Sequence, residues 1–248
     1  MPGSLRRAGH RRVRRWGVLL KACLNGARAH TAPKTPSEVA AEGRAVVAAG
    51  AGAIHVHPRG ADGKESLDGR AIANAVTALR EVVDVPIGVS TGAWFLPDPA
   101  ARLRAIEGWT VLPDFASVNM HEDGAEHIAG LLLDRGVGVE AGIWAGDTAR
   151  TFAESGAAQH CVRVLYEPMV QDVDAAHRTV DEIHAALQGI DVPRLLHGYE
   201  VTAWAMLQRA GADGFDTRVG LEDTLTLPDG AEATGNAELV RAALALLG

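Results

Sequence analysis

The chain has 248 residues, 47% of them apolar and 22% charged, the balance of an ordinary globular protein long enough for one large domain. Its net charge of −7 is uneven: up to Lys21 there are seven basic side chains (Arg6, Arg7, Arg11, Arg12, Arg14, Arg15, Lys21) and no acidic one, which leaves −14 for the remainder. A basic arm can meet anionic surfaces, but so acidic a body argues against nucleic acid as the main partner, and with no run of 18 apolar residues a membrane-spanning helix is excluded.

The rest alternates short apolar runs with amphipathic ones. The first strand is expected over Trp16–Leu24 and the first helix over Pro36–Ala49, opened by TPSE with a cap, an early proline and an early Glu. Strand Ala53–His57 and helix Asp68–Val82 follow, then strand Pro86–Ser90 and helix Pro97–Ile106, then strand Phe115–Asn119 and helix Gly124–Arg135. The second half continues with strand Gly138–Ile143 and helix Thr148–Ser155, and strand Val162–Tyr166 and helix Asp172–Leu187. Strand Arg194–Leu196 with helix Val201–Ala210, and strand Gly214–Arg218 with helix Gly235–Leu247, complete the pattern. Eight such units in one composition regime predict a single-domain α/β protein, a (β/α)8 TIM barrel. A doubly wound open sheet is the competing architecture, but no glycine-rich dinucleotide fingerprint follows the first strand.

Residues 1–15 are expected to be a disordered basic extension and residues 16–248 the catalytic barrel. The arm leads into WGVLL, too short for the apolar core of a signal peptide, so a cytoplasmic location is expected. Cys23 and Cys161 stand in apolar runs and read as buried thiols rather than a disulfide.

Barrel chemistry gathers at the C-terminal ends of the strands, and there the polar residues collect: Asn25, His55 and His57, Ser90 and Thr91, Ser117 and Asn119, Glu140, Glu167, His197, and Arg218 with Glu222 and Asp223. The sharpest element is His55-Val56-His57. Residues i and i+2 of a strand share a face, so both imidazoles are expected to project toward the barrel mouth. Imidazole suits zinc and similar divalent metals, and two His with one carboxylate leave a coordination position for water or substrate. The RVGLED turn after the eighth strand is the best source of the third ligand, Glu222. The plainer role for Glu222 and Asp223 is helix capping, and for Arg218 an ion pair.

These residues carry a resemblance to the β-keto acid cleavage enzymes, which include 3-keto-5-aminohexanoate cleavage enzyme. It extends from about Leu19 to the C-terminus and lies in NGA at 25–27, the TPSE helix start, IHVHPRG with the following DG, STG at 90–92, SVN at 117–119 and RVGLED at 218–223. The resemblance implies a zinc-dependent barrel that condenses a β-keto acid with acetyl-CoA, giving acetoacetate and a new acyl-CoA. By matching position His55, His57 and Glu222 are its metal ligands, Arg218 and Asp223 act together on the substrate and a water or proton, and Ser90, Ser117 and Asn119 line the keto-acid pocket. Thr91, Glu140 and Glu167 are further substrate-side residues, and the assembly is a homo-oligomer, a tetramer by likeness.

Three departures bear on the substrate. Arg28 stands where the family carries a glutamate after the NGA turn, and it points to an anionic or neutral side group. Gly142 replaces one of a pair of acidic positions beside Glu140. The segment between the sixth and seventh strands is short and lacks a glycine-rich loop. Two other readings remain: a metal-dependent hydrolase or aldolase on the same barrel, and a barrel that binds metal or keto acid without turnover. Amidohydrolase-like barrels want histidines at strands five and six, where this chain has Glu140 and Glu167.

Overall fold

Each strand is a run of three to six residues bounded by polar turns, too short for a helix and apolar enough to be covered on both faces. The computed structural model describes residues 18–27 and 32–248. In it, β1 (Leu20–Cys23), β2 (Ala53–Val56), β3 (Ile87–Ser90), β4 (Phe115–Asn119), β5 (Gly138–Ile143), β6 (Arg163–Tyr166), β7 (Arg194–Leu196) and β8 (Asp216–Val219) pair in parallel in that order. The barrel closes where β8 meets β1, with Lys21 beside Arg218. The helices α1 (Pro36–Ala49), α2 (Gly69–Arg80), α3 (Pro99–Glu107), α4 (Ala125–Asp134), α5 (Gly146–Ser155), α6 (Val173–Ala186), α7 (Ala203–Asp213) and α8 (Asn236–Leu247) each follow their strand. This is the (β/α)8 barrel that the alternating periods predict.

Local sequence explains the helix ends. At α1 the Thr35 hydroxyl accepts a hydrogen bond from Glu38 N, while Glu38 Oε2 accepts from Thr35 N and Lys34 N at 2.9 Å each. Pro36 occupies the first turn, where its missing N–H costs nothing, and Gly50 ends the helix at φ 115°. Val39, Gly43 and Val46 form the buried face. Side chains such as Ile72, Leu79, Ile128 and Leu239 pack the helices onto one part of the sheet, and Val164, Val180, Ile183 and Met206 do so on the other.

Several boundaries move. β1 begins at Leu20; Trp16, Gly17 and the basic arm lie outside the described residues. β2 stops at Val56, leaving His57 as the first residue past the strand. α7 begins at Ala203 and runs to Asp213, because residues 200–202 form a separate 3-10 turn. Both cysteines are free: Cys23 is buried in β1, and Cys161 is half-buried on the turn before β6. No helix among the described residues is long and apolar enough to cross a membrane.

The barrel interior carries charge. Lys21 on β1 meets Glu140 on β5, with Nζ 2.5 Å from Oε2 and both side chains wholly buried. β1 and β5 lie opposite in the closed ring, so this contact runs straight through the middle. Arg163 on β6 links Glu140 (3.1 Å) to Asp216 on β8 (3.5 Å). Two cations and two carboxylates thus share one buried layer, each sign compensated as burial requires. Toward the N-terminal ends of the strands, Leu19, Ala53 and Phe115 form a small apolar plug.

Candidate metal centre

His55 lies on β2 and His57 just past it, and the two rings converge at the mouth with their Nε2 atoms 3.1 Å apart. His57 is held on both sides. Asn25 Oδ1 accepts from His57 N (2.8 Å) while Asn25 Nδ2 donates to His57 O (3.0 Å) and Pro33 O (3.0 Å), so the NGA turn clamps the β2 exit. At the ring, Nδ1 sits 2.5 Å from Glu65 Oε1, brought back by the short antiparallel bridge between Arg59 and Glu65. Such a carboxylate partner orients a ligand imidazole and raises its basicity.

Glu222 arrives from the turn after β8, its oxygens 3.8 Å from His55 Nε2 and 3.5 Å from His57 Nε2. One donor atom from each of the three residues lies within 4.8 Å of the others. Zinc–nitrogen and zinc–oxygen bonds of about 2.0–2.2 Å put neighbouring ligands of a tetrahedral site roughly 3.4 Å apart. The donor set therefore fits a divalent ion, and Glu222 Oε2 is a buried oxygen without a hydrogen-bond partner among the described residues. Room for Glu222 comes from Gly26, at φ 53°, where a Cβ would stand 2.6 Å from Glu222 Cγ.

Charge sets the protonation of the triad. Burial pushes His55 well below the ordinary histidine range, helped by the charges of His57, Lys21 and Arg218 against the pull of Glu222. Burial also acts downward on His57, but the Glu222 carboxylate, together with Glu65, outweighs it and lifts this ring to about 9. Glu222 is held well below the usual carboxylate range: burial opposes this, and Arg218, His57 and His55 overcome it. The negative charge that keeps a proton on His57 is charge equally available to a bound cation.

Beside the triad, Arg218 Nη2 donates to Glu222 Oε1 (3.0 Å) and to Asp223 Oδ1 (2.7 Å). Asp223 is raised above the usual range, by burial first and by Glu222, against Arg218 and His197. A cavity of about 500 Å³ brings His55, His57, Ser90, Ser117, Asn119, Glu167, Arg218 and Glu222 to one surface, with Trp94, Trp144, Met169, His197 and Tyr199 around them. On its β6–β7 side Glu167 takes the indole N–H of Trp144 at 2.7 Å and faces His197 Nε2 at 3.0 Å. The backbone is strained at Glu200 (φ 52°), next to Tyr199, where Glu200 N donates to Asp223 O at 2.7 Å.

Three of the expected site residues lie off the cavity wall. Glu140 does not line the cavity: β5 runs three residues beyond it to Ile143, so its side chain lies in the interior with Lys21 and Arg163. Thr91 turns its hydroxyl to Ser117 O at 2.7 Å rather than into the cavity. Asp223, only 1% exposed, sits behind Arg218 and not on the cavity wall. Arg28 lies outside the described residues. Conversely, sequence reasoning assigned no role to Glu65 or His197. The signal for His197 was weaker than for His55: a single imidazole closing an apolar strand, without the second histidine two residues on. Glu65 sits in an irregular loop that carries no periodic signal.

A family model for beta-keto acid cleavage enzyme matches residues 18–248. None of the curated proteins compared with the chain matches it. Among solved structures it is similar to 3-dehydroquinate dehydratase from Geobacillus kaustophilus HTA426, at 10% identity and a TM-score of 0.62 over 93% of this chain and 91% of that one. It is likewise similar to N-acetylmannosamine-6-phosphate 2-epimerase from Clostridium perfringens, at 14% identity and a TM-score of 0.56 over 83% and 87%. At such identities these likenesses show the barrel alone.

Proposed function

The chain belongs to the beta-keto acid cleavage enzyme family, and from that premise we propose a metal-dependent enzyme that condenses a β-keto acid with acetyl-CoA. Carbons 1 and 2 of the keto acid join the acetyl group to give acetoacetate, and the remaining acyl group passes to the thiol of CoA. The observation that carries this reading is the convergence of His55, His57 and Glu222 beside the Arg218–Asp223 pair, at the C-terminal mouth of the barrel.

Two imidazoles and one carboxylate suit zinc. When bound there, the ion polarises the ketone and carboxylate of the keto acid and stabilises the negative charge that builds as the carbon–carbon bond breaks. Arg218 presents a permanent cation with a fork of donors to the cavity and orients anionic oxygen. Asp223 fixes that guanidinium through Oδ1, and its Oδ2 has no hydrogen-bond partner among the described residues. Its raised pKa places it nearer to neutral pH than an ordinary aspartate, which suits proton transfer together with Arg218. Ser90, Ser117 and Asn119 line the β3–β4 side of the cavity, where their polar groups hold the keto acid's oxygens.

The test is product balance. Purified protein incubated with 3-oxo acids and acetyl-CoA is expected to form acetoacetate and a new acyl-CoA in equal amounts, and both are expected to vanish with acetyl-CoA omitted or the metal chelated. Product formed without acetyl-CoA would mean a hydrolase or aldolase instead.

A further inference from the structure

The proposed reaction assigns the β2, β3, β4 and β8 sides of the cavity and leaves the far side open. In a closed ring of eight strands, β6 stands opposite β2. A keto acid whose reacting end is held at His55, His57 and Glu222 therefore extends its tail across the mouth toward the residues that follow β5, β6 and β7.

Glu167, the first residue after β6, dominates that side. Its backbone N–H is tied to Ile143 O (2.9 Å), Trp144 Nε1 donates to Oε2 (2.7 Å) and His197 Nε2 faces Oε1 (3.0 Å). The indole of Trp144 is itself packed on His121, with ring centroids 4.3 Å apart. The carboxylate is thus a rigid wall of the cavity, its side chain only 9% exposed. Its place depends on Gly142 of β5, where a Cβ would stand 2.7 Å from Asn119 Oδ1 and 3.0 Å from Glu167 Oε2. The acidic position that this chain gives up at 142 is space taken by a carboxylate reaching in from the next strand.

Each carboxylate oxygen can accept about two hydrogen bonds, and each here has one partner among the described residues, so acceptor capacity is left for the cavity. The carboxylate already faces the His197 imidazole at 3.0 Å, and the Arg218 cation lines the same cavity. What the wall still wants is therefore a donor rather than a counter-charge. An alkyl tail would cover the carboxylate without bonding it, and a carboxylate tail would meet a like charge; both are unfavourable in a buried site.

We propose that Glu167 determines specificity, and that the substrate is a β-keto acid whose distal end carries an uncharged hydrogen-bond donor such as a hydroxyl or amide N–H. This rests on the proposed reaction. Of the anionic or neutral side group that Arg28 suggests on sequence grounds, it selects the neutral one.

The experiment uses metal-loaded wild type and Glu167→Gln with four 3-oxo acids of one chain length, whose tails bear a hydroxyl, an ammonium, only hydrogen, or a carboxylate. Turnover with acetyl-CoA gives kcat/KM, and calorimetry without acetyl-CoA gives affinity. The wild type is expected to favour the hydroxyl acid over each of the others by about 10- to 100-fold, the scale of a hydrogen bond to a charged group. In Glu167→Gln that preference is expected to shrink by about 10-fold or more. A wild type that prefers the ammonium, alkyl or carboxylate tail overturns the proposal, and so does a hydroxyl preference unchanged in the variant. Should Glu167→Gln fail to fold, the wild-type ranking alone decides. If none of the four acids reacts with acetyl-CoA, the reaction is wrong, while the calorimetric ranking still tests the pocket.

Discussion

The carboxylate of Glu65 does not line the cavity, yet it orients the His57 ring from 2.5 Å away. Partners of this kind are worth about 10–100-fold in metal affinity. Glu65→Gln is accordingly expected to weaken metal binding by that factor in a competitive chelator titration, with the fold intact by circular dichroism; unchanged affinity would make Glu65 a plain loop residue. Glu167 adds a pH signature. Burial pushes its pKa up, but the hydrogen bonds and charges of His197, Arg218 and Trp144 pull it below the ordinary value. A depressed carboxylate contributes stability above its unfolded pKa of about 4.3 and loses it as pH falls through the folded value. The acid limb of the melting-temperature profile, from about pH 4.5 downward, is therefore expected to be shallower in Glu167→Gln than in wild type. The convergence of His55 and His57 was legible because a strand repeats every two residues and the pair closes an otherwise apolar run. Asp223 was harder to place: the text RVGLED shows adjacency, whereas its position behind Arg218 depends on how the turn after β8 folds back.

α1 shows how fully an element can be written in its own sequence. Thr35, Pro36, Glu38 and Gly50 each fill the position that backbone chemistry asks for, and the element matches its sequence-based bounds. Removing the cap with Thr35→Ala is expected to cost about 1 kcal/mol, hence lower the melting temperature by roughly 2–4 °C for a chain of this size. Metal content is expected to stay unchanged, since the cap lies outside the triad. Elsewhere strand bounds were as legible as helix bounds: β4, β5 and β7 match their expected ranges, whereas α7 starts two residues and ends three residues later than expected. The bounds of β5 were expected correctly, yet Glu140 was grouped with the residues at the mouth although the strand continues through Ala141, Gly142 and Ile143. β2 ends early instead, losing His57 to the loop because Pro58 and the Asn25 clamp draw the chain off the sheet.

Across the molecule, the alternation of periods was enough to predict eight β-α units and one closed sheet, but not what fills the barrel. Lys21, Glu140, Arg163 and Asp216 come from four strands spread across the sequence, and no local pattern announces their meeting. Breaking a buried pair costs about 3–5 kcal/mol because the surviving charge is stranded. Lys21→Met is expected to destabilise the barrel on that scale in urea, and Lys21→Met with Glu140→Gln to recover part of the loss; a double variant no better than the single would show that the two do not act as a pair. At the mouth above this layer, the proposal is that His55, His57 and Glu222 hold a divalent ion on which the reaction depends. It is tested most directly by the metal content of purified protein, measured by mass spectrometry beside a His55→Ala, Glu222→Ala double variant. The expected result is about one zinc per wild-type chain and none in the folded variant, as loss of two of three protein ligands requires. A wild type that takes up no divalent metal on dialysis, or a variant that keeps its full complement, would contradict it.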